Sequence, residues 1–543
     1  RDGQEQRILA EELVPGDVML LAAGEHISAD GRLVQEAELR VDQSTLSGES
    51  HPVRKTAEAV LRRVSINVEL PNVVFAGTSV AVGTGQAVVF ATGMKTEFGK
   101  IAHLTQSVGE DLSPLQRELS RVTQVVSIIA VSVGVLFFVL AVALTGMRLA
   151  ESFLFALGMI VAFVPEGLLP TVTLALAMST QRMARRHALI KKLSAVETLG
   201  CTTAICTDKT GTLTQNEMTV QAVWVSGRRL TVTGVGYAPV GQILERDQPV
   251  AMPVDADLRQ LLVAAGLCND ARLLPPTSET PAWTVLGDPT EAALLVVAQK
   301  GGVDLKAETQ RTPRRHELPF DSRRKRMSTI HQLSQVSVDT GLGTTASAQV
   351  GDGEHKSVVY VKGAPKEVLA ACHTIRLNGR ECPLSDAQRV EILQVNDGYA
   401  RDGLRVLTVA QRALQQTDTL SEVESKLTFL GLVAMMDPPR QEVAEAVAKC
   451  HSAGIRIIMM TGDYGLTAES IARRLGIVRS PQARLLTGSE FETMDSKTLQ
   501  EALRGEVIFA RVTPEHKLRV VAALQDMGHI VAVTGDGVND APA

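Results

Sequence analysis

Four apolar runs in this chain end on residues able to handle a phosphoryl group. The first, "ICTDKTGTLT", stops at Asp208 and continues through Lys209 and Thr210. The second, "IRIIMMTGD", ends on Thr461, Gly462 and Asp463. The third, "EVIFARVTPEHK", leads to Lys517, and the fourth, "IVAVTGDGVNDAPA", to Asp536, Asn539 and Asp540. A carboxylate such as Asp208 can attack phosphorus, and a hydroxyl and an ammonium can hold the oxygens of the group in flight. Magnesium prefers oxygen ligands, so Asp536 with Asp208 suits it and Asp540 supports them. One acid after a strand is often only a helix cap. Four such ends converging on one sheet call for phosphoryl transfer instead.

A fifth acid stands apart. Glu166 is the one charge between Ser152 and Gln181, and Pro165 precedes it. An acid inside a membrane segment costs roughly 2.5–3.5 kcal/mol and marks function. Proline removes a backbone donor and breaks a helix. The carbonyls of Val161, Ala162 and Val164 are thereby freed to bind a hard cation, with Glu166 supplying charge.

These groups need elements to position them. Val122 to Met147 carries no charge, and as a helix would reach roughly 39 Å, beyond the ~30 Å hydrocarbon layer. With the segment 152–181 and the short "RLAE" link it predicts a transmembrane hairpin over 118–182. Arg117 and Arg121 before it, and Arg182, Arg185, Arg186, Lys191 and Lys192 after it, put both ends in the cytoplasm. Residues 1–110 alternate β-branched runs with turns and read as a β-rich domain. From about 425 the order is strand, helix, strand: "LTFLGLVAMMD", a helix, "IRIIMMTGD", a helix, "EVIFARV", a helix, "IVAVTGDG". Apolar strands alternating with amphipathic helices predict a parallel α/β sheet, which binds ligands past its strand C-termini. Residues 195–222 and 425–543 would form that domain, and 223–415 a mixed insert.

Composition excludes other classes. The 543 residues carry a net charge of -5 without a long basic run, so nucleic acid is not an expected partner. The six cysteines form no CxxC pair and read as reduced thiols. Rings are scarce, and Phe320 is the only phenylalanine between Phe163 and Phe429.

"DKTGTLT" and "TGDGVNDAPA", with "PEGL", "KGAP" and "MMDPPR", resemble the signatures of P-type ATPases, here most similar to the type II cation pumps. The resemblance runs along essentially the whole chain. It implies a multidomain α/β protein with membrane helices: a β-rich actuator domain, a transmembrane hairpin, and a haloacid dehalogenase-like Rossmannoid phosphorylation domain with an inserted α+β nucleotide-binding domain. It implies ATP and magnesium as cofactors, phosphorylation of Asp208, and a catalytic set of Lys209, Thr210, Thr461, Gly462, Asp463 and Lys517. Thr210 would join Asp208, Asp536 and Asp540 at the magnesium. Many phosphatases of this superfamily carry a second acid where Thr210 stands, so hydrolysis here should be slow and triggered from elsewhere. "STLSGESHPV" resembles the family's TGES loop, with serine for threonine, which makes Glu49 the residue that positions the attacking water. Phe320 in "LPFDSRRKRMS" would stack on adenine, with Glu291, Lys325, Lys362 and Arg405 as further nucleotide contacts.

The implied partners are a transported cation and the lipid bilayer of the cell membrane. "VPEGLL" resembles sodium/potassium-type pumps and "ETLGCTTAIC" calcium pumps, so calcium and sodium both stand. The chain starts without methionine and reads as a fragment. The rival functions are a membrane-anchored phosphatase without transport and a non-catalytic scaffold. Thr210, Phe320 and Glu166 argue against the first, and the retained Asp208, Lys517, Asp536 and Asp540 against the second.

Overall fold

A computed structural model describes residues 3–47, 52–60, 70–107, 113–145, 148–163, 167–278, 280–321, 323–333, 357–414, 422–535, 540 and 543. Six of the residues singled out above, Glu49, Val164, Pro165, Glu166, Asp536 and Asn539, lie outside them.

The N-terminal domain is built on two long antiparallel strands, Asp30–Asp42 and Ser79–Ala91. Val18–Ala22 pairs with the second, and Val53–Arg54 and Val73–Val74 with the first. Alternation puts Leu33, Leu39, Val41, Val80, Ala87 and Val89 into one core. At Gly83, φ is 84° and an added Cβ would lie 2.4 Å from the Ala37 carbonyl oxygen, so only glycine fits this irregularity. Lys55 is fully buried, donates to the Leu70 carbonyl at 3.0 Å and lies 5.2 Å from the Phe75 ring. Burial pushes its ammonium down to about 7.

The apolar segments differ from the expected hairpin. The first segment is one helix, Pro114–Thr145. The second, expected over 152–181, is two: Leu149–Ala162 and Leu168–Ala184. In the sequence Pro165 falls between them, and a proline's ring and missing N–H disfavour an unbroken helical ladder. Among the described residues one helix, Pro114–Leu144, is long and apolar enough to cross a membrane. It packs closely on Leu149–Ala162. A Cβ on Gly134 would meet Ile160 Cγ1 at 2.5 Å, and Ala130, Ala156 and Ser152 are buried nearby. Small residues that let helix backbones approach are how such pairs hold together without a hydrophobic drive.

Besides the two-stranded pair Arg272–Leu274 with Thr284–Leu286, the remaining described residues make two large sheets. One is parallel, in the order Arg484–Thr487, Val507–Ala510, Arg456–Thr461, Ala204–Thr207, Val531–Thr534. Helices Val443–Ser452, Gly465–Arg474, Ser496–Arg504 and Pro514–Asp526 connect and cover it. Phe491, Phe509, Leu503 and Leu524 fill one face, and Met459, Ile471 and Leu475 the other.

The other sheet belongs to the insert and is larger than the 223–415 expected. Thr219–Val225 and Leu427–Met436 pair antiparallel inside it, followed by Arg405–Leu414, Ser357–Gly363, Arg326–Gln332 and Arg314–Asp321. "LTFLGLVAMMD" is therefore not a strand of the parallel sheet. Every residue of Leu427–Met436 is buried, because helix Ala256–Leu267 packs on one face and Pro365–Ala371 with Asp386–Arg401 on the other. A strand buried on both faces loses its alternation and reads like a parallel one.

Candidate functional site

The parallel sheet brings described residues of all four strand ends together: Asp208, Thr461 with Asp463, Lys517 and Asp540. Ala204–Thr207 is flanked by Arg456–Thr461 and Val531–Thr534, so Asp208 leaves the sheet between them. Its backbone N–H bonds the Thr534 carbonyl at 3.0 Å, and Thr534 Oγ1 donates to Thr207 Oγ1 at 2.9 Å. The backbone N–H of Lys209 donates to Asp208 Oδ1 at 2.6 Å.

Lys517 reaches this point from the first turn of Pro514–Asp526. Thr513 caps that helix by accepting from His516 N at 3.3 Å, and Pro514 occupies the first position, where its missing N–H costs nothing. The ammonium donates to Asp208 Oδ2 and, at 2.6 Å, to Asp540 Oδ1. Lys517 is 1% and Asp208 6% exposed. Burial pushes the Asp208 carboxyl up, the Lys517 charge pulls it down, and Asp540 adds to the rise, leaving it above its ordinary value. Burial works against the Lys517 charge, but Asp208 and Asp540 together hold it above its usual value. One ammonium thus serves two carboxylates.

The rest of the predicted set is arranged around this triad. Lys209 Nζ pairs with Asp463 Oδ2 at 2.6 Å, and Asp463 N donates to the buried Thr461 hydroxyl at 3.1 Å, with Gly462 between them. Thr210 Oγ1 is buried without a hydrogen-bond partner among the described residues. A buried hydroxyl without a partner is costly and suits a site that receives an oxygen-rich ligand. Asp208 and Asp540 supply only oxygens, the donor set magnesium takes when it shares its shell with phosphates. Residues and metal therefore fit.

Two residues that were only letters of "MMDPPR" prove to hold the Asp208 loop. Asp437 accepts from Thr214 Oγ1 at 2.5 Å and from Glu217 N at 3.2 Å. Arg440 donates to the carbonyl of Gly211 at 2.9 Å, where φ is 70°. The pairing joins chain positions more than 200 residues apart, which no local pattern reveals.

The insert carries a cavity of about 670 Å³, within the range of ligand sites. Glu291, Phe320, Lys362 and Arg405 line it, with Arg324 and Met327. Lys362 Nζ meets Glu291 Oε1 at 2.5 Å, and Glu291 Oε2 accepts from Asp270 N and Ala271 N at 2.9 and 3.1 Å. Phe320 is 43% exposed, so its ring is open to stacking. Lys325 sits on the same turn, yet its ammonium goes to Glu367 at 2.6 Å and not to the cavity. Arg405 also lines a second cavity of about 370 Å³ with Lys209, Thr210, Asp437 and Asp463. That space joins the two domains.

The N-terminal domain sits against the mouth of the larger cavity. Arg54 pairs with Asp321 at 2.8 Å, Arg323 with Glu58 at 2.6 Å, and Arg40 lies 5.9 Å from the Phe320 ring centre. Backbone donation from Arg324 and the Arg54 guanidinium hold Asp321 down at about 2. Arg54 and Asp321 are 38% and 28% exposed, and such a pair contributes ~0–1 kcal/mol. The resemblance implies a nucleotide in this cavity, and Arg54→Ala is then expected to lower its half-saturating concentration less than about fivefold, since each 1.4 kcal/mol is tenfold. A nucleotide titration of both proteins checks this, and weaker binding in the variant would contradict it.

Of the residues expected to hold a cation, Val161 and Ala162 close helix Leu149–Ala162, where the Phe163 N–H caps the Ile160 carbonyl at 3.2 Å and also the Val161 carbonyl.

Comparison with known proteins places this architecture. Residues 1–106 match the P-type ATPase actuator domain, 257–442 the P-type ATPase cytoplasmic domain N, and 354–543 the haloacid dehalogenase-like hydrolases. A calcium-transporting ATPase of Bacillus subtilis is 37% identical over all of this chain and 58% of its own length. A probable cation-transporting ATPase F of Mycobacterium bovis is 40% identical with the same shares, and the potassium-transporting ATPase alpha chain 2 of Cavia porcellus 36% identical over 53% of its length. The chain spans somewhat more than half the length of these relatives. Matched end to end by such proteins, and over residues 1–106 and 257–543 by the domain models, the chain belongs to the P-type ATPase family.

Proposed function

We propose that the protein carrying this chain couples ATP hydrolysis to cation transport through an aspartyl phosphate on Asp208. The observation behind this reading is the buried Lys517, shared by Asp208 and Asp540 beside the unpartnered Thr210 hydroxyl. ATP stacks its base on Phe320 and directs its phosphates past Lys362 and Arg405. An oxygen of Asp208 bonds to the γ-phosphorus as the bond to the ADP oxygen breaks, and ADP leaves with that electron pair. Lys517 and Thr210 hold the equatorial oxygens, while Lys209 keeps Asp463 in place. Asp208, Thr210, Asp536 and Asp540 would hold magnesium, which supplies charge neutralisation for the phosphoryl group.

The acyl phosphate then waits. Thr210 offers no carboxylate to activate water, so hydrolysis falls to Glu49, which takes the water proton once the N-terminal domain reaches Asp208. The delay allows the membrane segments to rearrange around a cation held by Glu166 and the carbonyls of Val161, Ala162 and Val164. Both soluble parts face the cytoplasm of the cell membrane. The ion is calcium or sodium.

The test is ATP hydrolysis by the whole protein in sealed vesicles, with calcium or sodium added separately. One ion is expected to stimulate hydrolysis and to accumulate on one side. Glu166→Gln is expected to reduce that stimulation at least about tenfold with nucleotide affinity intact. Rapid, ion-independent hydrolysis of many phosphoesters would overturn the reading in favour of a phosphatase.

A further inference from the structure

Phe320 stands near the end of strand Arg314–Asp321 and Lys325 on the turn that leads to Arg326–Gln332, and the turn is held from two sides. On one side Asp321 Oδ1 accepts from Arg323 N and Arg324 N, both at 2.9 Å, and the Asp321 carbonyl accepts from Lys325 N at 2.6 Å. Lys325 adopts φ 52°, a left-handed conformation that a lysine does not take unaided. On the other side stands Glu424, about a hundred positions later, just ahead of the central strand Leu427–Met436. Its side chain is 8% exposed. One oxygen accepts from Ser328 Oγ at 2.6 Å and from the Arg324 guanidinium, the other from Arg326 Nε at 2.8 Å. The second arm of Arg324 donates to the Pro319 carbonyl at 2.7 Å, the residue before Phe320.

From this relay we infer that Glu424 is a positioning residue for nucleotide binding: through Arg324 and the Pro319 carbonyl it sets the angle at which Phe320 meets the base. The inference rests on the proposed ATP reading of this site. Glu424 does not line the cavity, while Arg324 and Phe320 do. Burial would raise the Glu424 carboxyl, yet bonds from Ser328, Arg324 and Arg326 outweigh it and leave it lowered, so the group is an anion between two guanidinium ions. With both oxygens of a buried carboxylate held by three side chains the arrangement is stiff, and stiffness at the turn is what ring stacking needs. Without the anion, two facing guanidinium groups repel, Arg324 turns to solvent, and Pro319 loses its donor.

Glu424→Gln in the whole protein tests this, with Glu424→Asp beside it. Three quantities are read: ATP affinity by calorimetry, half-saturating ATP for labelling of Asp208, and labelling of Asp208 by inorganic phosphate, the reverse of hydrolysis, which uses no base. Glu424→Gln is expected to raise both ATP constants about tenfold. Labelling at saturating ATP should stay within about twofold, and labelling by inorganic phosphate should not change. Glu424→Asp should recover to within about threefold. Unchanged ATP constants overturn the inference, as does an equal loss of labelling from ATP and from inorganic phosphate, which would mean a general structural role. If the wild-type protein forms no adduct at all, the ATP-pump reading fails, and calorimetry alone still decides the role of Glu424.

Discussion

Lys517→Met is expected to slow phosphorylation by ATP about 10²–10³-fold. Methionine approximates the length and volume of the lysine stem, so the helix Pro514–Asp526 should keep its packing. What disappears is the ammonium between Asp208 and Asp540, in a site where neither partner is more than 9% exposed. Removing one member of a buried charge set costs about 3–5 kcal/mol, because the other charges stay buried without a counterion. Removing a donor aimed at developing oxyanion charge costs about 2.7–4 kcal/mol in the transition state. The second figure is the one that reaches the rate. Quenched-flow labelling with γ-labelled ATP measures it. A loss smaller than tenfold would mean that Lys517 only balances charge in the resting protein.

Asp208→Asn is expected to be more severe, with adduct formation falling at least about 10⁴-fold, the scale seen when a nucleophile is removed outright. Asparagine fits the same space and can still accept from the Lys209 backbone N–H, so the loop should hold its shape. It should also relieve crowding of charge, since Asp208 and Asp540 share one cation. Nucleotide affinity, read by calorimetry on the same preparation, is therefore expected to stay or improve. Asp208→Glu keeps the carboxylate but adds a methylene to a side chain only 6% exposed, and is expected to be nearly as inactive, since core sites tolerate extra volume poorly. Activity in Asp208→Glu would show that charge matters here and position does not.

The strand-end chemistry was legible because residue type and place in the pattern carry it. Asp208, Lys517 and Asp540 each follow an apolar run, and a parallel sheet gathers such ends whatever its loops do. The residues expected to contact nucleotide were chosen by scarcity and resemblance: Phe320 is a lone ring in a long stretch, and four of the five groups line one cavity. Lys325 comes with Phe320 from the resemblance of "LPFDSRRKRMS", but a side chain that long follows its nearest acid, here Glu367.

Other features were not legible. The strand Leu427–Met436 looks parallel because helices cover both its faces. The clamp of Asp437 and Arg440 on the Asp208 loop, the Glu424 relay and the Arg54–Asp321 contact all join distant parts of the chain. Single charged residues in such contacts look like any solvated charge until the fold brings their partners.

The central claim is that Asp208 carries the phosphoryl group. The whole protein, mixed with γ-labelled ATP and magnesium and quenched in acid, should retain label that hydroxylamine removes, located on the peptide "ICTDKTGTLT" and absent from Asp208→Asn. Label that resists hydroxylamine, maps to a serine, threonine or histidine, or persists in Asp208→Asn would contradict the account.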